Sequence, residues 1–299
     1  MQYQQLGRSG LHISRIGFGC MSLSSNNETE SIEIIHRAIE LGINYFDTAD
    51  LYDKGMNEIL VGKAIQSKRE KVILASKVGN QWRADGSGWD WNPRKEYILK
   101  AAEESLMRLQ TDHLDLYQLH GGTIDDPIDE VIEAFELLQQ QGKIRYYGIS
   151  SIRPNVIREY INRSNIVSVM MQYSLADRRP EESVLDLLKQ NNIGVLSRGA
   201  LAQGLLVNKA AKEYLGHRQE TIAAAAQLVQ GITLTTHTAA QTAIQFVLQN
   251  PAITSAILGM SRIDQLIEVA ATTGNQSLSI TDWKLLQDVL PPKVYEQHR

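Results

Sequence analysis

Two hydrophobic patterns alternate along the chain. Short runs rich in Val, Ile, Leu, Phe and Tyr recur at residues 15–19, 45–47, 72–77, 114–120, 146–150, 167–172, 194–197 and 253–258. Each is short enough for a strand covered on both faces. Between them lie longer stretches in which apolar residues return every three or four positions. In 28–41, Ile32, Ile35 and Ile39 share one face, with Asn27 placed to cap the helix and Gly42 to stop it. Asn92 and Pro93 open a helix over 94–109, since proline suits a first helical turn. A helix over 130–141 ends at Gly142, and Thr238 with Gln241 makes a capping box ahead of 239–248. The polar, alanine-rich stretch 206–236 predicts a surface helix over 219–229 and a mobile edge.

Eight strand candidates separated by helix candidates predict a parallel sheet closed on itself, an α/β (β/α)8 TIM barrel. Ahead of the repeat, 2–6 and 11–14 flank Gly7-Arg8-Ser9-Gly10 and read as a hairpin. No composition shift or low-complexity linker divides residues 1–299, so one domain is expected.

Polar residues break this pattern at informative places. Asp47 and Tyr52 lie in NYFDTADLY, Lys77 ends VILASK, and His120 closes LDLYQLH. In parallel barrels the chemistry collects at the C-terminal ends of the strands. Taken singly, a lysine or aspartate at a strand end is commonly a solvated rim residue, and a lone histidine is commonly structural. Together the four make a proton-transfer set. A phenol is a weak acid at neutral pH, and a nearby ammonium stabilises the phenolate. A carboxylate keeps that ammonium charged and in place. An imidazole can orient a carbonyl by hydrogen bonding. The set suits reduction of a C=O bond, with Tyr52 as the acid.

Composition narrows the partners. With 43% hydrophobic and 21% charged residues and a net charge of −4, the chain can bury a large core and implies no nucleic-acid or anionic-membrane partner. Cys20 is the single cysteine, which rules out an internal disulfide and a multi-cysteine metal site. The other histidines show no metal-ligand spacing, so no metal is expected. The start MQYQQLGRSG lacks the basic and apolar parts of a signal peptide, and no apolar run reaches membrane-spanning length. A cytoplasmic protein acting on a small-molecule carbonyl substrate is expected.

The segments IGFGCM, NYFDTADLYDKGMNE, ILASKVG, DLYQLHG, GKIRYYGIS, MMQYS, ALAQGLL and ILGMSRIDQL, in this order, resemble the aldo-keto reductases over nearly the whole chain. The resemblance implies that Asp47, Tyr52, Lys77 and His120 are the catalytic tetrad and that NADPH is the hydride source. It implies that Ser150, Ser151 and Gln172 grip the nicotinamide carboxamide, and that Arg198 stacks on the ring where many members carry tyrosine. Gly19, Cys20, Met21, Asp47 and Ser197 would lie beside the cofactor. Gly199, Leu201, Gln203, Gly204 and Leu205 would offer backbone N–H groups to the pyrophosphate. Gly259, Met260, Ser261, Arg262 and Gln265 follow the last strand, with Arg262 toward the 2′-phosphate and Glu268 toward the adenine. The mobile edge near 206–236 would lie over the cofactor.

Substrate preference is written less clearly. Trp82, Trp89 and Trp91 crowd the stretch after Lys77 and either wall a pocket with Tyr52 and His120 or pack the loop onto the rim. The tail PPKVYEQHR is short, so it is expected to shape the pocket less than the longer tails of other aldo-keto reductases do. Two other readings stay open. A hydrolase or lyase would use Asp47, Lys77 and His120 without nicotinamide, with Lys77 forming a Schiff base. A non-catalytic NADP(H) sensor of aldo-keto reductase fold would bind the cofactor and turn over little.

Overall fold

A parallel barrel closes in the order in which its strands occur along the chain. The computed structural model describes residues 1–232 and 237–299. Strands Ile16–Gly19, Tyr45–Asp47, Ile73–Val78, Leu114–Leu119, Ile144–Ser150, Ser168–Gln172, Gly194–Arg198 and Ile253–Leu258 pair in sequence, and the last returns to the first through Leu258 opposite Phe18. All eight coincide with the short apolar runs. Helices surround them, and none among the described residues is long and apolar enough to cross a membrane.

The period of two along a strand decides what points inward. Tyr45, Ala75, Leu116, Met170, Leu196 and Ile257 form an interior cluster, while Phe46, Leu74, Tyr117 and Leu119 join the larger core beneath the helices. The first hairpin, Tyr3–Gln5 against His12–Ser14, supplies Leu6, Leu11 and Ile13 to the interior cluster and so plugs the N-terminal mouth. Gly7 makes this approach possible. It has φ +53°, and a Cβ there would sit 2.4 Å from the Val167 carbonyl oxygen. The barrel is therefore solid below and open for chemistry only at its other end.

Local expectations hold in part. Thr238 and Gln241 cap each other reciprocally at the start of Ala239–Gln249. Gly42 and Gly142 follow their helices at φ +87° and +73°. Asn27 precedes Glu28–Glu40 without a side-chain cap, and the buried stripe of that helix is Ile34, Ile35 and Ala38. Ile32 and Ile39 flank it, because the helix rests on the barrel a little rotated from the face that its isoleucines suggest. Pro93 lies outside Lys95–Leu109, whose cap position is Arg94; Asn92 accepts from the Arg94 N–H at 3.1 Å. Ile128–Gln140 starts after Pro127, two residues before the expected helix. The stretch after Lys77 is a hairpin, Asn80–Trp82 against Trp89–Trp91, where only a loop was expected. Helix Gln219–Ile232 is present, and residues 233–236 of the expected mobile edge lie outside the described residues.

Candidate active site

Asp47, Lys77, Gln118 and His120 occupy inward positions of three neighbouring strands, in step with Tyr45, Ala75 and Leu116 below them. Lys77 is 1% exposed and forms an ion pair with Asp47. Its ammonium also donates to the Thr48 carbonyl at 2.8 Å and to the Tyr52 hydroxyl at 3.2 Å. Asp47 accepts in addition from Gln118 Nε2 at 3.2 Å and from the Tyr45 hydroxyl at 3.4 Å. Burial opposes the charge on both partners. It pushes the Asp47 carboxyl up, against the pull of Lys77, Gln118 and Tyr45. It also drives the Lys77 ammonium down, yet Asp47 and Tyr52 outweigh it and hold the lysine above its ordinary value. The pair stays ionised because each charge is the other's main compensation. A Schiff-base role needs a neutral amine, which the pairing with Asp47 disfavours at Lys77.

Tyr52 is positioned by an unusual backbone. Asp53, Lys54 and Gly55 follow it at φ +48°, +53° and +85°, a run of left-handed residues that turns the chain sharply. Both sides of the turn are tied down. Asp53 accepts from the Ser25 hydroxyl at 2.5 Å, and Lys54 lies 5.2 Å from the centre of the Trp82 ring. The Trp82 indole N–H donates to the Leu51 carbonyl at 3.1 Å. Behind the strands, Asn57 joins Thr48 at 2.7 Å and the Cys20 carbonyl at 2.9 Å. Glu58 accepts from Ser76 at 2.5 Å and pairs with Arg108 at 2.7 Å. The residues just after Tyr52 thus lock its loop to the outside of the barrel.

His120 sits edge-on to Tyr52, with ring centroids 5.8 Å apart. Burial pushes the imidazole down to about 3, reinforced by Lys77 and Arg198, so it is neutral at physiological pH. Its Nδ1 is buried and meets no partner among the described residues. Sequence reasoning missed Gln118, whose signal was its parity with His120 inside an otherwise apolar run. It also missed Asp50, buried with the Tyr97 hydroxyl at 3.3 Å and pushed up to about 8 by burial and then by Glu58.

The residues expected around a dinucleotide fall on one side of the same barrel mouth. Gly19 and Ser22 abut the last strand's exit, where Ser22 donates to the Met260 carbonyl at 3.1 Å and a Cβ on Gly259 would lie 3.2 Å from Ser22. Met21 is 69% exposed, whereas Cys20 is wholly buried, burial raises its thiol, and its carbonyl accepts from Asn57, so neither its side chain nor its backbone is open to solvent. Ser151 is buried, with its hydroxyl accepting from the Arg153 N–H at 3.2 Å. Gln172, at the end of the strand beside that of Ser150, accepts from Arg198 at 3.2 Å and donates to the Tyr214 hydroxyl at 2.9 Å. Ser197 and Leu205 have buried side chains, Ser197 donating to the Tyr173 carbonyl at 3.0 Å. Gly199, Gln203 and Gly204 have positive φ, but the Gly204 and Leu205 N–H groups are engaged by the Leu201 and Ala202 carbonyls. Arg262 precedes helix Ile263–Ala271 and is held by Asp264 through two bonds of 3.0 Å, both side chains exposed. Gln265 reaches back to the Ser261 N–H at 3.1 Å, and the Glu268 carbonyl accepts from Gln241 at 2.8 Å. Exposed donors, glycine turns and a helix N-terminus along one rim fit an extended polyanion such as a dinucleotide.

Among the tryptophans, Trp82 stands beside Leu51 and hence Tyr52, and Trp89 is 49% exposed. Trp91 packs across Gly79 and Gly121, with its indole N–H on Asp126 at 3.0 Å. Trp91 therefore seats the hairpin on the rim next to His120.

Residues 15–291 match the model of the Aldo/keto reductase family. The uncharacterized oxidoreductase YqkF of Bacillus subtilis (strain 168) is 48% identical over the whole of both chains. L-galactose dehydrogenase of Arabidopsis thaliana is 32% identical, over 97% of this chain and 93% of its own. Among solved structures, the holo form of aldo-keto reductase AKR11C1 from Bacillus halodurans superimposes with a TM-score of 0.94 at 48% identity, covering 100% of this chain and 99% of its own. The chain belongs to the aldo/keto reductase family of oxidoreductases.

Proposed function

We infer that this protein reduces aldehydes or ketones to alcohols with NADPH, and that Tyr52 is the general acid. The observation that carries this reading is the Lys77 ammonium lying 3.2 Å from the Tyr52 hydroxyl while paired with buried Asp47. When bound, the nicotinamide supplies a hydride to the carbonyl carbon. Tyr52 gives its proton to the carbonyl oxygen as that oxygen gains charge. The tyrosinate left behind is stabilised by Lys77, whose own charge is fixed by Asp47. His120, neutral, offers a ring N–H that can hold the carbonyl oxygen toward Tyr52. Ser150, Ser151 and Gln172 would hold the carboxamide, Arg198 the ring face, the 199–205 turn the pyrophosphate, and Gly259 to Gln265 with Arg262 the 2′-phosphate.

A panel of aldehydes and ketones followed by loss of NADPH absorbance tests the reading. Wild type should consume NADPH, and Tyr52→Phe should lower kcat by about a hundred- to ten-thousand-fold, as loss of one acid–base group does. NADPH affinity in Tyr52→Phe should stay close to wild type. A Tyr52→Phe protein with near wild-type kcat would overturn the assignment.

A further inference from the structure

The short tail is bonded to segments that follow two neighbouring barrel strands, Ile144–Ser150 and Ser168–Gln172. The Asn155 N–H donates to the His298 carbonyl at 2.9 Å and Arg299 pairs with Glu182, while Arg178 holds the end of the preceding helix through the Gln287 and Leu290 carbonyls at 2.9 and 3.1 Å. Between the tail and the loops after Ser151 and Tyr214 lies a cavity of about 560 Å³, within the range of small-molecule sites. Two of its wall residues stand close in the chain, or by one bond, to residues of the proposed centre. Arg153 follows Ser151 by two residues and its guanidinium donates to the Gly122 carbonyl, two residues beyond His120. Leu215 follows Tyr214, which is bonded to Gln172 at 2.9 Å.

The lining has two characters. Ile152, Leu215 and Val294 are apolar yet 37%, 37% and 50% exposed. The charged groups are mainly cationic: Arg153, Arg179 and Lys293 against Glu296. Arg179 is matched by buried Asp177 at 2.7 Å and lies 5.0 Å from the Tyr295 ring centre. Arg153 and Lys293 have no carboxylate within salt-bridge distance among the described residues, and Arg153 has only a neutral carbonyl as acceptor. Burial and then Lys293 depress the nearby His217, so the Lys293 charge is felt inside the loop. An uncompensated pair of cations beside apolar wall suits a ligand with an apolar body and an anionic end.

We propose that this cavity is the substrate's outer subsite and selects carbonyl compounds bearing a carboxylate, which Arg153 and Lys293 receive while Ile152, Leu215 and Val294 cover the apolar body. The proposal rests on the carbonyl-reductase reading of Tyr52. Benzaldehyde and 4-carboxybenzaldehyde share a ring and a carbonyl and differ in the carboxylate. With NADPH and the full chain, the carboxylate compound should show kcat/KM about five- to tenfold higher, through KM, with the advantage shrinking in high salt. That ratio should fall toward one in Lys293→Gln and Arg153→Gln. Lys293 is exposed, so its substitution leaves the fold intact. Equal or better use of benzaldehyde by wild type, or a ratio untouched in both variants, overturns the proposal. Should neither these aldehydes nor the wider carbonyl panel be reduced, the reductase reading fails, and calorimetric titration with 4-(hydroxymethyl)benzoate against benzyl alcohol decides the subsite by itself. Tighter binding of the carboxylate that is lost in Lys293→Gln supports it, and equal binding of the two refutes it.

Discussion

Gln118 donates to Asp47 across the barrel interior at 3.2 Å, from a strand that does not pair with the strand of Asp47. Side chains of alternate barrel strands share a layer, and these two meet over the intervening strand that carries Lys77. The Gln118 amide is therefore the neutral partner of a carboxylate whose charged partner is Lys77. Replacing it by a second carboxylate should be worse than removing it. Gln118→Glu sets like charges together in a buried layer, which should lower thermal stability at pH 7 and recover it in part as the pH is reduced. Gln118→Leu loses one charge-assisted bond, worth about 1.5–3 kcal/mol at most. Thermal denaturation of the two variants checks the order, and an unaltered melting temperature for Gln118→Glu would refute the shared layer.

His120 should remain neutral throughout the working pH range. Its folded value is pushed down to about 3, below that of a free imidazole, so the sign is fixed. Between the two values the unfolded chain binds a proton that the folded chain does not, and stability falls as pH drops from about 6.5 toward 3. An NMR titration should find the His120 ring uncharged at pH 6. His120→Gln should lessen the acid-side loss of stability. A ring that titrates near 6.5 would show that burial does not govern it.

Asp50 has the opposite linkage. Its folded value lies near 8 while that of an unfolded aspartate is near 3.9, so the folded protein holds a proton that the unfolded chain has released. Stability contributed by neutral Asp50 is complete below about pH 4 and is lost as pH rises toward 8. Asp50→Asn keeps the shape and the Tyr97 contact but cannot ionise. Its melting temperature should vary less between pH 5 and 8 than that of wild type, and exceed it at the upper end. Parallel curves for the two proteins would mean that Asp50 is ionised in the fold.

Much of the barrel was legible because its signals are local. Eight apolar runs of strand length have no competing explanation once helical periodicity fills the gaps, and the parity of Asp47, Lys77 and His120 within those runs already aims them inward. Gln118 shares that parity but reads as an interruption of the run, because its partner lies 71 residues away. The hairpin around Gly86-Ser87-Gly88 was hidden because its strands are only three residues long, too short for the alternation of Trp89-Asp90-Trp91 to stand out from a loop. The anchored tail depends on Glu182 and Asn155, distant in sequence and ordinary in type. Contacts of that kind leave no periodic trace.

Arg262 carries the cofactor prediction. It stands just before a helix, where a cation is mildly disfavoured by the helix dipole, and this misplacement argues for an anionic partner. Asp264 is such a partner, bound through two 3.0 Å contacts, but both side chains are exposed and exchange readily with water and ions. A 2′-phosphate carries more charge than a carboxylate and offers more acceptor oxygens, so it can compete for the same guanidinium. NADPH should therefore bind more tightly than NADH. Arg262→Ala should weaken NADPH by about ten- to a hundredfold, the range for charge-assisted hydrogen bonds, and leave NADH almost unchanged. Asp264→Asn removes the competing carboxylate and its repulsion of the phosphate, so it should tighten NADPH while NADH stays level. Dissociation constants of both cofactors for the three proteins decide the matter. Equal losses of NADPH and NADH in Arg262→Ala would leave the guanidinium serving only its aspartate.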